Sequence, residues 1–131
     1  MIAFLADHNI EGQAELLWGT LSAEGWLPLL PMRLLRFVDV GLSFDSTDRE
    51  IWRFAQERRM LLLTANRNMS GDDSLEQTIR EENQAASLPV ITISNVDQMM
   101  DKTYREQCAT RLVEIALYLE DYRGAGRLFI P

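Results

Sequence analysis

Side chains able to do chemistry gather at three places along this chain. Asp7, with His8 and Asn9, follows the apolar run Ile2–Ala6; Asp45 and Asp48 flank Ser46-Thr47; and Thr64, Asn66, Arg67, Asn68, Asp72 and Asp73 fall in the stretch LLLTANRNMSGDD, Leu61–Asp73. Most of these side chains offer oxygen, and hard oxygen ligands suit magnesium or manganese. A carboxylate at the end of a buried strand, as Asp7 is, must be partnered, exposed or holding a cation. The others each have a structural account too. Asp48 suits the positive start of a helix, Asn66 and Asn68 tolerate the left-handed turns of loops, Asn9 is a good helix cap, and so is Asp72 or Asp73. Their joint placement after one strand, before a helix and after a second strand favours a shared role more than any one of them does.

Other chemistries are poorly supported. His8 is the one histidine and cannot build a zinc site, which takes several nitrogen or sulfur ligands. Cys108 falls on the inner stripe of the last helix and reads as inert core. The chain has no GxxxxGK[ST], no GxGxxG after a strand, no HExxH, no paired CxxC and no GxSxG elbow.

The elements that must position the polar residues alternate in type. Ile2–Ala6 predicts a first strand, and Ile10, Ala14, Leu17, Trp18 and Leu21 fall at helical spacing after it, ending at Gly25. Trp26–Leu30 predicts a second strand, in which Pro28 points to an edge position or an irregular extended segment. Pro31–Leu42 supports either a short helix or a hydrophobic loop. Ser46 or Thr47 caps a helix whose inner side is Ile51, Trp52, Phe54 and Ala55, with Arg58 and Arg59 at its carboxyl end. Met60–Thr64 predicts a core strand buried on both faces. A short helix over Ser74–Asn83 follows, anchored by Leu75 and Ile79, then a β-branched strand over Pro89–Ser94. A long helix runs from about Met100 to Tyr122 with the stripe Met100, Tyr104, Cys108, Leu112, Ile115 and Leu119. The glycines of RGAGR end it before a last strand, Leu128–Ile130. This alternation implies one domain over residues 1–131, a three-layer α/β/α arrangement with a mainly parallel central sheet.

Composition bounds the function. The 131 residues are 47% hydrophobic and 25% charged, as in a soluble globular domain, and no apolar run is long enough for a membrane span. The start, MIAFLADHN, lacks the basic flank and long apolar run of a signal peptide, and a single cysteine fits a reducing, cytoplasmic setting. A net charge of −7 argues against coating nucleic acid with a basic surface. Twelve arginines stand against the single Lys102; carboxylate is the expected partner for most of their guanidinium forks.

Three segments, in order, resemble the PIN-like nuclease fold, in particular the small toxin-type branch found among bacterial toxin–antitoxin proteins. Phe4, Leu5, Asp7 and Asn9 match the family's F-L-x-D-x-N. Thr47, Asp48 and Ile51 match its T-D-x-x-I, and Leu62-Leu63-Thr64 its L-L-T. The likeness spans residues 1–94; the last helix and strand fit in layout only. The resemblance implies a ribonuclease whose carboxylates hold magnesium or manganese. Asp7 and Asp48 would then be metal ligands and Asn9 a support or substrate contact, with Thr64, Arg67 and Asn68 around them. It also implies RNA as substrate, an antitoxin protein as partner and a homodimer, with Trp18, Trp26 and Tyr118 as candidate exposed aromatics for an interface.

One departure matters. After L-L-T the family has aspartate at the second position and often again two residues later, where this chain has Asn66 and Asn68. Amides can ligate a hard cation through oxygen but bring no counter-charge. Asp72 or Asp73 could supply the missing carboxylate if the loop folds back. Two functions therefore stand side by side: a metal-dependent ribonuclease using Asp7, Asp48 and Asp73 or Asp72 with Asn66, or a non-cleaving descendant that binds RNA or protein. A receiver-like signalling domain is a distant third, because its second strand-end aspartate pair is absent.

Overall fold

A computed structural model describes residues 1–131. Five short apolar runs become strands: β1 (Ile2–Ala6), β2 (Met32–Leu35), β3 (Met60–Thr64), β4 (Val90–Ile93) and β5 (Arg127–Ile130). They form one sheet in the order β2-β1-β3-β4-β5, every pair parallel. All five residues of β3, the central strand, are buried. A strand covered on both faces needs an unbroken apolar run, which MLLLT supplies.

The helices are α1 (Glu11–Ala23), α2 (Trp26–Leu29), α3 (Phe37–Val40), α4 (Asp48–Glu57), α5 (Leu75–Glu82) and α6 (Lys102–Leu117). The larger core, of 20 buried residues, packs Ala14, Leu17 and Leu21 of α1 and Cys108, Leu112 and Ile115 of α6 on Phe4, Leu61, Leu63, Ile91 and Ile130. The smaller, of 10, packs Ile51, Trp52 and Ala55 of α4 and Leu75 and Ile79 of α5 on Leu5, Leu62 and Val90. The result is a three-layer α/β/α domain. Cys108 is fully buried, and burial pushes its thiol up to about 11; it is inert core.

The crossovers do not all share one hand. From β1 the chain steps outward to β2 through α1, then returns past β1 to β3 through α4 on the opposite face. From β3 it continues the same way to β4 through α5, on the face of α4. From β4 it steps on to β5, but α6 lies on the face of α1. The β4–α6–β5 unit therefore has the hand opposite to the other three, and since about 98% of such units are right-handed, it is the left-handed one. A 3-10 turn, Val96–Met100, with Met99 fully buried on the α1 side, carries the chain across. On the other face of β5, Arg127 lies against Glu76 of α5 and Phe129 is left 42% exposed.

Several expectations need correction. Trp26–Leu30 is not a strand: Trp26–Leu29 is one helical turn entered through Gly25 at φ +78°. Pro28 is its third residue, where an N–H has no helical partner to lose. The edge strand comes just afterwards, as β2. Asn9 does not cap α1; it sits inside a 3-10 turn, His8–Ile10, capped by Asp7. The last long helix starts at Lys102 and stops at Leu117, with a separate 3-10 turn at Leu119–Tyr122. Met100 is exposed outside it and Met99 takes the inward position. Trp18 and Trp26 are not free surface aromatics: both pack on the larger core, and Trp18 meets Phe4 edge-on at 5.1 Å. Tyr118 remains 58% exposed.

Candidate functional site

In an open parallel sheet a crevice forms where successive connections leave adjacent strands toward opposite faces. Here that place lies past the carboxyl ends of β1 and β3: the chain leaves β1 toward α1 and leaves β3 toward α5. Asp7 follows β1 directly, and its backbone N–H donates to the Leu63 carbonyl at 2.8 Å. Ala65 and Asn66 follow β3. A cleft of about 280 Å³ opens there, lined by Asp7, Asn9, Ile10, Ala65 and Asn66.

One line of hydrogen bonds crosses this place. The hydroxyl of Thr64, a fully buried residue, donates to Asp7 Oδ2 at 2.7 Å and accepts the Asn66 N–H at 2.9 Å. The Asn66 side-chain amide donates to Asp48 Oδ2 at 3.0 Å. The same Asp48 oxygen accepts the N–H of Leu75, the first residue of α5, at 3.1 Å. Asp48 is brought there by the capping box of α4: Thr47 accepts the Glu50 N–H, and Glu50 accepts the Thr47 N–H. That bond from the Thr47 backbone holds the Glu50 carboxyl below its ordinary range.

The loop after Asn66 is built from side chains folding onto their own backbone. Asn66 Oδ1 accepts the Asn68 N–H at 2.8 Å, and Asn68 Oδ1 accepts the Ser70 N–H at 3.1 Å and its hydroxyl at 2.9 Å. These are local turns of the kind asparagine favours. Arg67 is exposed and donates to the Ser94 carbonyl at 3.0 Å. Arg127 reaches in from β5 with its side chain only 8% exposed. It donates to the Asn66 carbonyl at 2.7 Å, the Thr92 hydroxyl at 2.8 Å and Glu76 at 3.2 Å.

The acidic end of the loop goes elsewhere. Arg49 of α4 donates to Asp73 Oδ1 at 2.9 Å, to the Asp72 carbonyl at 2.6 Å, to Glu81 at 2.7 Å and to Glu82. Arg53 forks onto Glu82 at 2.8 and 2.9 Å. Hydrogen bonds from Arg53 and Arg49 hold Glu82 below the usual carboxylate range, and Arg49 does the same to Glu81. The structure thus brings Asp7, Thr64, Asn66 and Asp48 together, sets Asn9 and Asn68 beside them, and directs Asp72 and Asp73 to Arg49. Nowhere in the chain do three or more Asp, Glu, His or Cys side chains converge as an ion site.

Arg127 and Arg49, which hold the site, carry no local sequence signal. Their partners lie 35 or more and 23 or more residues away, respectively, beyond any motif. Six of the twelve arginines, Arg36, Arg49, Arg53, Arg111, Arg123 and Arg127, meet carboxylates, half rather than the expected majority.

Thr64 is the pivot, so Thr64→Val is a direct probe. Valine has nearly the same shape but leaves Asp7 Oδ2 and the Asn66 N–H without their partner. The variant is expected to lose about 1–3 kcal/mol in urea unfolding, with an unchanged m-value.

The fold and this cluster define the class: a three-layer α/β/α protein with a polar hydrogen-bonded site at the switch point of a parallel sheet. Compared with protein-family models, curated proteins and solved structures, the chain matches none.

Proposed function

We propose that the chain is a PIN-like domain of the toxin-type branch, a magnesium- or manganese-dependent ribonuclease by descent in which cleavage of RNA is strongly attenuated. The observation that carries this reading is the line Asp7–Thr64–Asn66–Asp48 at the switch point. Two of its members are the carboxylates that the resemblance assigns to metal, and a third is the asparagine standing where it assigns an aspartate.

The donor set matches a hard cation in kind, all oxygen, but does not fit as an ion site as folded. Asp48 Oδ2 already accepts two N–H groups. Asn66 turns its amide N–H toward that carboxylate and spends its oxygen on Asn68. Asp73 is paired with Arg49.

The Asn66–Asp48 bond favours a second reading, a descendant that binds RNA at this cleft without cutting it. Dimerisation and capture by an antitoxin protein belong to the first reading; Tyr118 and Leu117, 58% and 56% exposed, are aromatic and apolar surface for such contacts. A cytoplasmic setting is part of the same proposal, and no helix is long and apolar enough to cross a membrane.

Cleavage of single-stranded RNA with manganese, by wild type and by Asp7→Asn, tests the reading. Slow, chelator-sensitive cleavage that Asp7→Asn lowers by about tenfold or more supports an attenuated nuclease. Equal, chelator-insensitive activity in both proteins overturns it. Binding without cleavage selects the second reading.

A further inference from the structure

Phe44 is a large apolar side chain that the fold leaves in the open, 61% exposed, yet holds in place. Its ring stacks on His8 at 4.3 Å between centroids, with 14° between planes. His8 in turn meets Phe37, a buried residue, at 6.0 Å, and Phe37 lies 6.3 Å from Phe44. The loop that carries Phe44 starts at Gly41, the left-handed cap of α3 at φ +72°, and is closed by the Asp45 N–H donating to Ser43 Oγ. The outer ring is thus seated on two further rings and a short turn. His8 follows Asp7 directly after β1, so the stack stands at the same carboxyl edge of the sheet as the cleft, on the α4 side of Asp7.

Two features say what such a surface takes. Of its chain neighbours, Ser43, Asp45 and Ser46 are polar and Leu42 is half-buried against the smaller core, so along this loop one ring stands out alone rather than a run of exposed apolar residues suited to a protein partner. Carboxylates stand close by in the chain, at Asp45, Asp48 and Asp7, so a phosphate is disfavoured while a neutral planar group is not. An unpaired nucleobase has that shape and that charge, and single-strand binders take bases on exposed aromatic rings.

We propose that Phe44, seated on His8, is a stacking platform for one unpaired base of single-stranded RNA entering the Asp7–Asn66 cleft. This rests on the RNA reading above and adds the contact by which a chain of net charge −7 holds RNA: through a base face, not through phosphates. Asn9, exposed and lining the cleft, stands where its amide meets an edge of the strand that follows.

Fluorescence anisotropy with a labelled single-stranded RNA 12-mer, and with the same strand carrying abasic positions, tests this on wild type, Phe44→Ala and Phe44→Trp. Phe44→Ala is expected to weaken binding about tenfold, with only a small fall in unfolding temperature from loss of the His8 stack, since most of the side chain is exposed. Phe44→Trp should keep binding and show quenching of the added tryptophan. The abasic strand should bind wild type as weakly as the intact strand binds Phe44→Ala, and affinity should fall only shallowly with salt, since few counterions are released. Equal binding by wild type and Phe44→Ala, or equal binding of intact and abasic strands, overturns the platform and leaves the RNA reading standing. No RNA binding by wild type overturns both.

Discussion

Replacing Asn66 and Asn68 together by aspartate is expected to create manganese binding and metal-dependent RNA cleavage well above the wild-type level. The two substitutions are unequal. Asn68 uses only its oxygen, accepting from Ser70, so aspartate keeps both bonds and changes stability little. Asn66 uses its oxygen toward Asn68 and its amide N–H toward Asp48 at 3.0 Å. Aspartate there removes a donor and sets two carboxylates against each other. Without metal the double variant should lose about 1–3 kcal/mol, or roughly 3–5 °C of Tm per kcal/mol for a domain of this size.

Like charges at that range hold each other's protons. The loss should therefore shrink as pH falls and one of the pair takes up a proton. Manganese should reverse it: ion at about a hundredfold over Kd restores about 2.7 kcal/mol. Thermal unfolding with and without manganese, alongside calorimetric titration, reads both effects. Adding Asp7→Asn to the double variant should abolish the cleavage it gained. If the double variant is destabilised but gains neither manganese-dependent stability nor cleavage, the site is not a lapsed metal centre, and the resemblance to the nuclease branch loses its functional content.

Much of the scaffold was legible because its signals are local. Met60–Thr64 reads as a strand from an unbroken apolar run between two arginines and a polar loop, and β3 has those bounds. Ser46-Thr47 ahead of an apolar stripe announces the start of α4, and the structure makes Thr47 the cap. WLPLL was misread because a run of five apolar residues fits a strand or a helical turn equally well, and the decision falls to Gly25 and to the position of Pro28. At the site, Asp7, Asp48 and Asn66 could be named because strand ends and helix starts are visible in sequence. The direction taken by Asp72 and Asp73 could not be, since it depends on Arg49 from another element. The left-handed β4–α6–β5 crossing was equally invisible, because helix periodicity says which face of α6 is apolar and nothing about which face of the sheet it covers.

That crossing bears on the second large effect. With α6 on the α1 face, β5 presents Arg127 toward Glu76 of α5. The guanidinium spans from the edge strand to the loop after β3, and Arg127→Met is expected to destabilise the protein by about 2–4 kcal/mol. Two losses contribute, and they can be separated. One is Glu76, left partly buried without its cation at 3.2 Å; the other is the Asn66 carbonyl with the Thr92 hydroxyl, left without their shared donor at 2.7 and 2.8 Å. Arg127→Met combined with Glu76→Met removes the first and keeps the second. If the ion pair dominates, the double variant should recover most of the stability, as replaced buried pairs often do. If the carbonyl clamp dominates, the double variant should stay destabilised, with fast hydrogen exchange confined to the amides of Asn66, Asn68 and Ser70. Arg127→Lys should fall between wild type and Arg127→Met, since an ammonium lacks the planar fork that meets three acceptors on two sides. Unchanged exchange in all three variants would mean that the Asx turns alone hold the loop. Asn66 would then keep its place beside Asp48 without help from β5.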